Sequence, residues 1–225
     1  MGLVLELNLV TISTSEKYMS EINITQIPVM TDNFIYILHN NITNEAAVID
    51  PAEAGPVIDM LNEKDLTLTH ILNTHHHYDH VGANIELKEK YGSIIVGSRD
   101  DHARIPGIDV LVREGETVTF GNESAQILEV SGHTTGHIAY YFKGLKALFC
   151  GDTLFSMGCG RLFEGSPETM WQSIQKLMAL PNDTLIYCAH EYTEANGDFA
   201  LSIEPNNGDL KLRMDDVRKL RAEGL

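Results

Sequence analysis

Five ligand-type side chains fall within the seven residues Thr74-His75-His76-His77-Tyr78-Asp79-His80, and four of them, His75, His77, Asp79 and His80, are the potential ligands. They follow directly on Thr69-His70-Ile71-Leu72-Asn73, which reads as a strand. Backbone still extended beyond it would project His75 and His77 to one side and His76 to the other. Asp79 and His80 would then open a helix and bring a carboxylate and a third imidazole from a second direction. Three further predicted strands run into residues of the same kind: 125–130 into Ser131-Gly132-His133, 146–150 into Gly151-Asp152, and 184–189 into His190. One tetrahedral ion does not need four ligands from a single loop when other strand ends also supply them, so the pattern points to two adjacent divalent ions. Imidazole and carboxylate donors without thiolate suit Zn, Fe or Mn; Zn is the expected ion.

Loops along one edge of a rigid sheet can hold such a site without burying polar groups in an apolar core. Gly132 and Gly151 would let the backbone pass close beside an ion. The elements that must position these loops are legible as short strands over 22–27, 34–38, 46–50, 93–97, 116–120 and 138–142 besides those already named. A helical stretch covers 56–64, and a second helix is predicted from Asp79 to Gly92. A third is well marked, with Ser166 as cap, Pro167 at the first helical position, Met170, Ile174, Leu177 and Met178 as its apolar stripe, and Pro181 as its stop. Two amphipathic helices over 195–203 and 210–221 follow His190, split by Pro205-Asn206-Asn207-Gly208. Strands and helices in this order predict an α/β (α+β) chain, either one mixed sheet or a two-sheet sandwich with helices outside.

Length and composition bound what these elements can build. The 225 residues, 43% apolar and 21% charged, suit one principal core and a globular chain. No apolar run approaches the roughly eighteen residues of a membrane-spanning helix. Acidic side chains number 32 against 16 basic ones, a formal charge of -16 with no Lys/Arg cluster, which argues against nucleic acid and anionic membranes as partners. A small anionic substrate would have to be caught by a few local cations. Cys150, Cys159 and Cys188, an odd set without CxxC spacing, fit a reducing compartment, so a cytoplasmic protein is expected, monomeric or weakly homo-oligomeric. Residues 1–18 lack a basic n-region, and Glu6 stands where the myristoylation pattern needs Ser or Thr, so neither a secretory signal nor a lipid anchor is expected. Leu3, Leu5, Leu7 and Leu9 alternate, which leaves open an added edge strand or an extension ahead of a start at Met19. The expected division is an N-terminal extension over 1–18, a metal-binding domain over 19–190 and a short helical segment over 191–225.

The histidine motif, together with Ser131-Gly132-His133-Thr134-Thr135-Gly136-His137, Cys150-Gly151-Asp152-Thr153 and Ala189-His190-Glu191-Tyr192, resembles the metallo-β-lactamase superfamily. That resemblance implies an αββα sandwich with a binuclear metal site. Within it, Met30-Thr31-Asp32-Asn33-Phe34-Ile35-Tyr36, the segment Phe155 to Gly165, and Ala189 to Thr193 resemble the glyoxalase II family, the hydroxyacylglutathione hydrolases. The resemblance implies that His75, His77 and His133 hold one metal, that Asp79, His80 and His190 hold the other, and that Asp152 bridges them. Asp79 and Asp152 then help hold the hydroxide that attacks a thioester carbonyl. A thiolate leaves without help, so no general acid is assigned. The implied substrate is a small-molecule glutathione thioester, S-D-lactoylglutathione, cleaved to glutathione and D-lactate in methylglyoxal detoxification.

Other positions carry weaker expectations. Arg161 and Tyr192 match positions that contact glutathione, but Arg161-Leu162-Phe163 stands where relatives often have Lys followed two residues later by Tyr, so Phe163 offers no hydroxyl. Asp50 is either a turn carboxylate or a brace under the metals. His137 reads as an orienting partner, His76 as an outer or solvent-facing ring, and Cys159 as a small loop residue rather than a nucleophile. Arg218, Lys219 and Arg221 read as a solvated helix face. Because glyoxalase II continues through a longer helical region, a partly open glutathione groove and weak saturation are expected. Competing functions are a lactonase, β-lactamase or broad thioesterase, a persulfide dioxygenase, and a metal-binding module of weak activity.

Overall fold

Alternation along one strand already divides the molecule into layers. In the computed structural model, which describes residues 21–224, β1 (Ile22–Val29), β2 (Asn33–Asn40) and β3 (Glu45–Ile49) form one half of a sheet. Ile35 and Ile37 of β2 pack on one face with Val48, Ile71, Val57 and Leu61, while Tyr36 and Leu38 pack on the other with Phe120, Tyr140 and Phe149. Successive side chains point to opposite faces, so a strand apolar at every position must be covered on both sides.

The chain then continues through α1 (Ala54–Glu63), β4 (Thr67–Leu72), α2 (Tyr78–Val81), α3 (Asn84–Tyr91), β5 (Ile94–Ser98), a single 3-10 turn (Arg99–Asp101) and β6 (Val110–Val112). The second sheet is built from β7 (Thr117–Phe120), β8 (Glu123–Glu129), β9 (Ile138–Phe142), β10 (Ala147–Gly151) and, after the small hairpin β11 (Leu154–Phe155) and β12 (Gly158–Cys159) and helix α4 (Pro167–Met178), β13 (Leu185–Cys188). Strand orders are β1-β2-β3-β4-β5-β6 and β13-β10-β9-β8-β7. Between the sheets lie Tyr36, Leu72, Val96, Ile127 and Phe142; α1 and α3 cover the outside of the first sheet, and α4 covers the second through Leu177 against Leu128, Ala139, Tyr141 and Leu148. This is the αββα sandwich. Helices α5 (Thr193–Ile203) and α6 (Gly208–Ala222) follow and pack on each other, with Gly197 against Met214. Among the described residues no helix is long and apolar enough to cross a membrane.

Several local expectations are refined. The helix expected over 79–92 is two helices, interrupted at Gly82 and Ala83, where Ala83 N donates to Pro51 O at 2.9 Å instead of to Asp79 O. A Cβ at Gly82 would lie 3.0 Å from Tyr78 O and nearer still to Ala52 O, so only glycine fits that approach. On α4 the cap is as read, with Ser166 Oγ accepting from Thr169 N at 3.2 Å, but Met178 is 67% exposed. Ser173 takes the buried place and donates to Ser131 O at 2.6 Å. The three short strands β6, β11 and β12 carry no periodicity and were not expected. The expectations for residues 1–18, including the Leu3 to Leu9 strand and a start at Met19, lie outside the described residues.

Candidate metal centre

The loops that follow β4, β8, β10 and β13 meet at one edge of the sandwich. After β4 the backbone bends at Thr74 and His75 and is extended again at His77 (φ -60, ψ 147), and α2 starts at the next residue, turning Asp79 and His80 back toward His75. His75 Nε2 lies 3.0 Å from His77 Nδ1, which lies 3.0 Å from His133 Nε2. Asp152 stands between this group and the next. Its Oδ2 is 3.2 Å from His133 Nε2, and its Oδ1 is 3.4 Å from His80 Nε2 and 3.3 Å from His190 Nε2. Asp79 Oδ2 closes the second group, 3.7 Å from His80 Nε2 and 3.4 Å from His190 Nε2. Donor atoms within 4.8 Å of one another form three sets: His75, His77 and His133; His75, His80 and Asp152; and Asp79, His80 and His190. All seven side chains singled out as ligands in the sequence therefore converge.

A divalent cation fits this donor set. His80 Nε2 and Asp152 Oδ1 are buried without any hydrogen-bond partner, an arrangement that costs free energy unless something charged lies between them. The outer nitrogen of each ring is already committed. His80 Nδ1 meets Asp50 Oδ2 at 3.1 Å, His190 Nδ1 meets Asp32 Oδ1 at 2.8 Å, and His133 Nδ1 meets Arg161 O at 2.8 Å. Since these oxygens only accept, each Nδ1 carries the proton and each Nε2 turns a lone pair inward. Thr74 Oγ1 donates to Asp50 Oδ2 at 2.6 Å and can accept from His75 Nδ1 at 3.2 Å, which gives His75 the same tautomer. His77 differs in presenting Nδ1.

Asp50 is thus the brace rather than a free turn carboxylate: it also accepts from Thr74 N at 2.8 Å, and it adopts a left-handed φ of 51 to do so. His137 sits behind Asp152, its Nε2 accepting from Asp152 N at 3.1 Å and its Nδ1 donating to Ile138 O. Burial pushes His137 down to about 3, so it remains the neutral acceptor this requires. Burial alone would raise Asp152, but His80, His190 and His133 hold its carboxyl well below the usual range. Burial would likewise lower His80, yet with no cation present Asp152, Asp50 and Asp79 raise it to about 9, so its Nε2 offers a lone pair only where a bound cation displaces that proton. At Gly151 (φ 50) a Cβ would meet Thr74 Oγ1 and, at 2.8 Å, His137 Cε1, so the close approach there is to the residues behind the ligands and not to the ligand atoms themselves. Gly132 approaches Met170 of α4 instead of the ligand cluster.

Over the cluster opens a cavity of about 360 Å³ whose wall includes Arg161, Phe163, Tyr192 and Cys159. The Arg161 guanidinium lies 4.8 Å above the Phe163 ring, and that ring packs edge-on against His133 and His77. Tyr192 stacks on His190, 5.0 Å between centroids; burial and nearby carboxylates push its hydroxyl up to about 12, so it stays a neutral donor. Burial raises the Cys159 thiol, which keeps it from acting as a ready nucleophile. His76 points away from the cluster and bonds Asp101 Oδ2 at 3.0 Å. Arg218 bridges the two C-terminal helices through Asp198 at 2.7 Å.

Residues 32–190 match the metallo-beta-lactamase superfamily, and residues 191–225 match the hydroxyacylglutathione hydrolase C-terminus. The chain is 53% identical to a hydroxyacylglutathione hydrolase of Methylococcus capsulatus, over 90% of its own length and 79% of that protein, and 53% identical to one of Rhodospirillum rubrum, over 92% and 80%. The chain belongs to the hydroxyacylglutathione hydrolase family. Among solved structures, the ETHE1 protein of Myxococcus xanthus shares the fold at a TM-score of 0.69 with 32% identity, covering 76% of each chain. The B3 metallo-beta-lactamase BLEG-1 is similar at 0.69 with 27% identity, covering 75% of this chain and 92% of that one. Like those hydrolases by sequence, this family member also carries site residues that its motifs do not announce. Asp32 and Asn33 lie in a segment that carried the resemblance, yet nothing local shows that they reach His190 and Asp79. Glu164 lies in another such segment, with nothing local to show that it reaches Arg104, and Asp101 and Arg104 gave no signal at all.

Proposed function

We propose that this chain hydrolyses the thioester of an S-(2-hydroxyacyl)glutathione, with S-D-lactoylglutathione as the reference substrate, releasing glutathione and a 2-hydroxy acid. The observation that carries the proposal is the convergence of three overlapping His/Asp donor sets, one of them containing Asp152, in the wall of a cavity, in a chain about half identical to hydroxyacylglutathione hydrolases. His75, His77 and His133 would hold one divalent ion and Asp79, His80 and His190 a second, with Asp152 shared; Zn is the proposed ion, and Fe or Mn suits the same donors. When bound, such ions supply Lewis acidity, which ionises water near neutral pH and polarises an acyl carbonyl.

The rest is done by the chain itself. Asp152 stays ionised and offers one oxygen to each group. Asn33 Nδ2 donates to Asp79 Oδ2 at 3.0 Å and to Asp79 O, which fixes the direction of that carboxylate. Arg161 supplies a local cation on the cavity wall of an acidic protein, suited to a glutathione carboxylate, and Tyr192 supplies a neutral hydroxyl donor. Phe163 and Phe155 present apolar surface that excludes water from the acyl group. The leaving thiolate needs no proton in the transition state, so no general acid is assigned.

The test is to load the chain with Zn, Fe or Mn and follow thioester absorbance of S-D-lactoylglutathione. Turnover that disappears in Asp152→Ala supports the reading. A metal-loaded, folded chain that leaves the thioester intact while opening a lactone or β-lactam overturns it.

A further inference from the structure

Four loops meet beside His133 and His77, and one ion pair joins them. Arg104, in the turn after β5, donates from Nη1 to Glu164 Oε1 at 2.5 Å and from Nη2 to Glu164 Oε2 at 3.3 Å. Glu164 Oε2 also accepts from the backbone N–H of Thr135 at 2.7 Å and from its hydroxyl at 2.9 Å. On its other side the guanidinium is held by Asp101 through Nε at 3.0 Å and through Nη2. Asp101 is fully buried and is the same carboxylate that bonds His76, the one histidine of the motif turned away from the ligand cluster. A Cβ at Gly136 would run into this carboxylate, so the loop after β8 lies directly on the network.

Partly exposed ion pairs usually contribute little, because water screens them and two long side chains must be ordered. This one differs in geometry: the pair is two-pronged, its far end is fastened to a buried carboxylate, and its near end to a backbone N–H. Arg104 and the Thr135 bonds hold Glu164 well below its ordinary range, at about 2. What Glu164 carries is the segment 161–165. Phe163 N donates to His133 O at 3.3 Å, Gly165 N donates to Gly132 O at 3.0 Å, and Arg161 O accepts from His133 Nδ1. Arg161 and Phe163, which wall the cavity, are therefore held by a clamp that itself touches neither the cavity nor the ligand atoms.

We propose that the Arg104–Glu164 pair is a positioning device for substrate binding, fixing residues 161–165 on the loop 132–136 so that the Arg161 guanidinium and the Phe163 ring face the incoming thioester. The proposal rests on the reading of Arg161 as a substrate contact. Loosening the clamp should act on a contact remote from the reacting carbon, and so on KM more than on kcat. Glu164→Gln is expected to raise KM about tenfold, equivalent to about 1.4 kcal/mol, with kcat within about twofold and metal content unchanged. Arg104→Lys, which keeps the charge but cannot span Asp101 and Glu164 together, should give an intermediate KM.

Arg161→Met is measured alongside. If it raises KM and Glu164→Gln does not, the clamp is refuted while the substrate contact stands; if Arg161→Met leaves KM unchanged, the contact and the clamp both fall. A Glu164→Gln chain with lowered Tm and unaltered KM would show an ion pair that serves stability alone and would also overturn the proposal. Should Glu164→Gln not fold, Glu164→Asp, with the same charge and a shorter reach, is read by the same criteria.

Discussion

Asp32 Oδ1 lies 2.8 Å from His190 Nδ1, a contact between residues 158 positions apart in the chain. It joins the turn between β1 and β2, in the first sheet, to the end of β13, in the second. Backbone bonds stitch the same junction, Glu191 N to Asp32 O at 2.8 Å and Phe34 N to Ala189 O at 2.7 Å. The side chain adds what backbone bonds do not: a fixed tautomer and a more basic Nε2.

Asp32→Ala should therefore weaken retention of one divalent ion by about 10–100-fold, as removal of such outer partners commonly does. Competition with a coloured chelator, run on wild type and variant, reads this directly. Equal affinities would mean that the backbone junction alone orients His190.

The shared carboxylate makes a sharper distinction. Asp152→Ala should lower both bound metal and thioesterase turnover, whereas His76→Ala, whose ring bonds Asp101 instead of the cluster, should leave metal content nearly intact. Elemental analysis of the two purified variants checks it, and loss of metal in His76→Ala would redraw the ligand set.

Asp50 bears on stability as well as on His80. In Asp50→Ala, Thr74 N and Oγ1 lose their buried acceptor, and alanine must adopt a left-handed φ. Each unmet buried group costs about 1–3 kcal/mol. Urea unfolding of the metal-stripped chain should show the loss, and Asp50→Asn, which tolerates that φ and keeps an acceptor, should recover part of it.

The Glu164 carboxyl is depressed from 4.5 to about 2 in the folded chain, so between those values it binds fewer protons folded than unfolded. Its contribution is fully present above its unfolded pKa and is lost as pH falls toward about 2. The Tm gap between metal-stripped wild type and Glu164→Gln should stay constant from pH 7 to about 5 and narrow below about 4. A gap that widened on acidification would contradict the assignment.

His75, His77, Asp79 and His80 could be read from the sequence because they share one short loop, where strand and helix geometry alone dictate which side each residue takes. His133, Asp152 and His190 were legible as a set because each ends a strand, and strand ends at one sheet edge must lie near one another. The layered fold was legible only in part: the order of strands and helices left one mixed sheet or a two-sheet sandwich open, and the resemblance implied the sandwich. Helix limits were less so, since at the break Ala83 N bonds Pro51 O, an acceptor far back in the chain.

Tertiary structure alone decided which partner each polar group found. Asp50 was compatible with a free turn until the fold set it beneath Thr74 and His80. Asp32 and Glu164 are ordinary loop acids by any local criterion, and their partners, His190 and Arg104, lie 158 and 60 residues away. Local propensity depends on near neighbours, but the proton on a ligand imidazole and the direction of Arg161 depend on atoms brought close only when the two sheets close on each other.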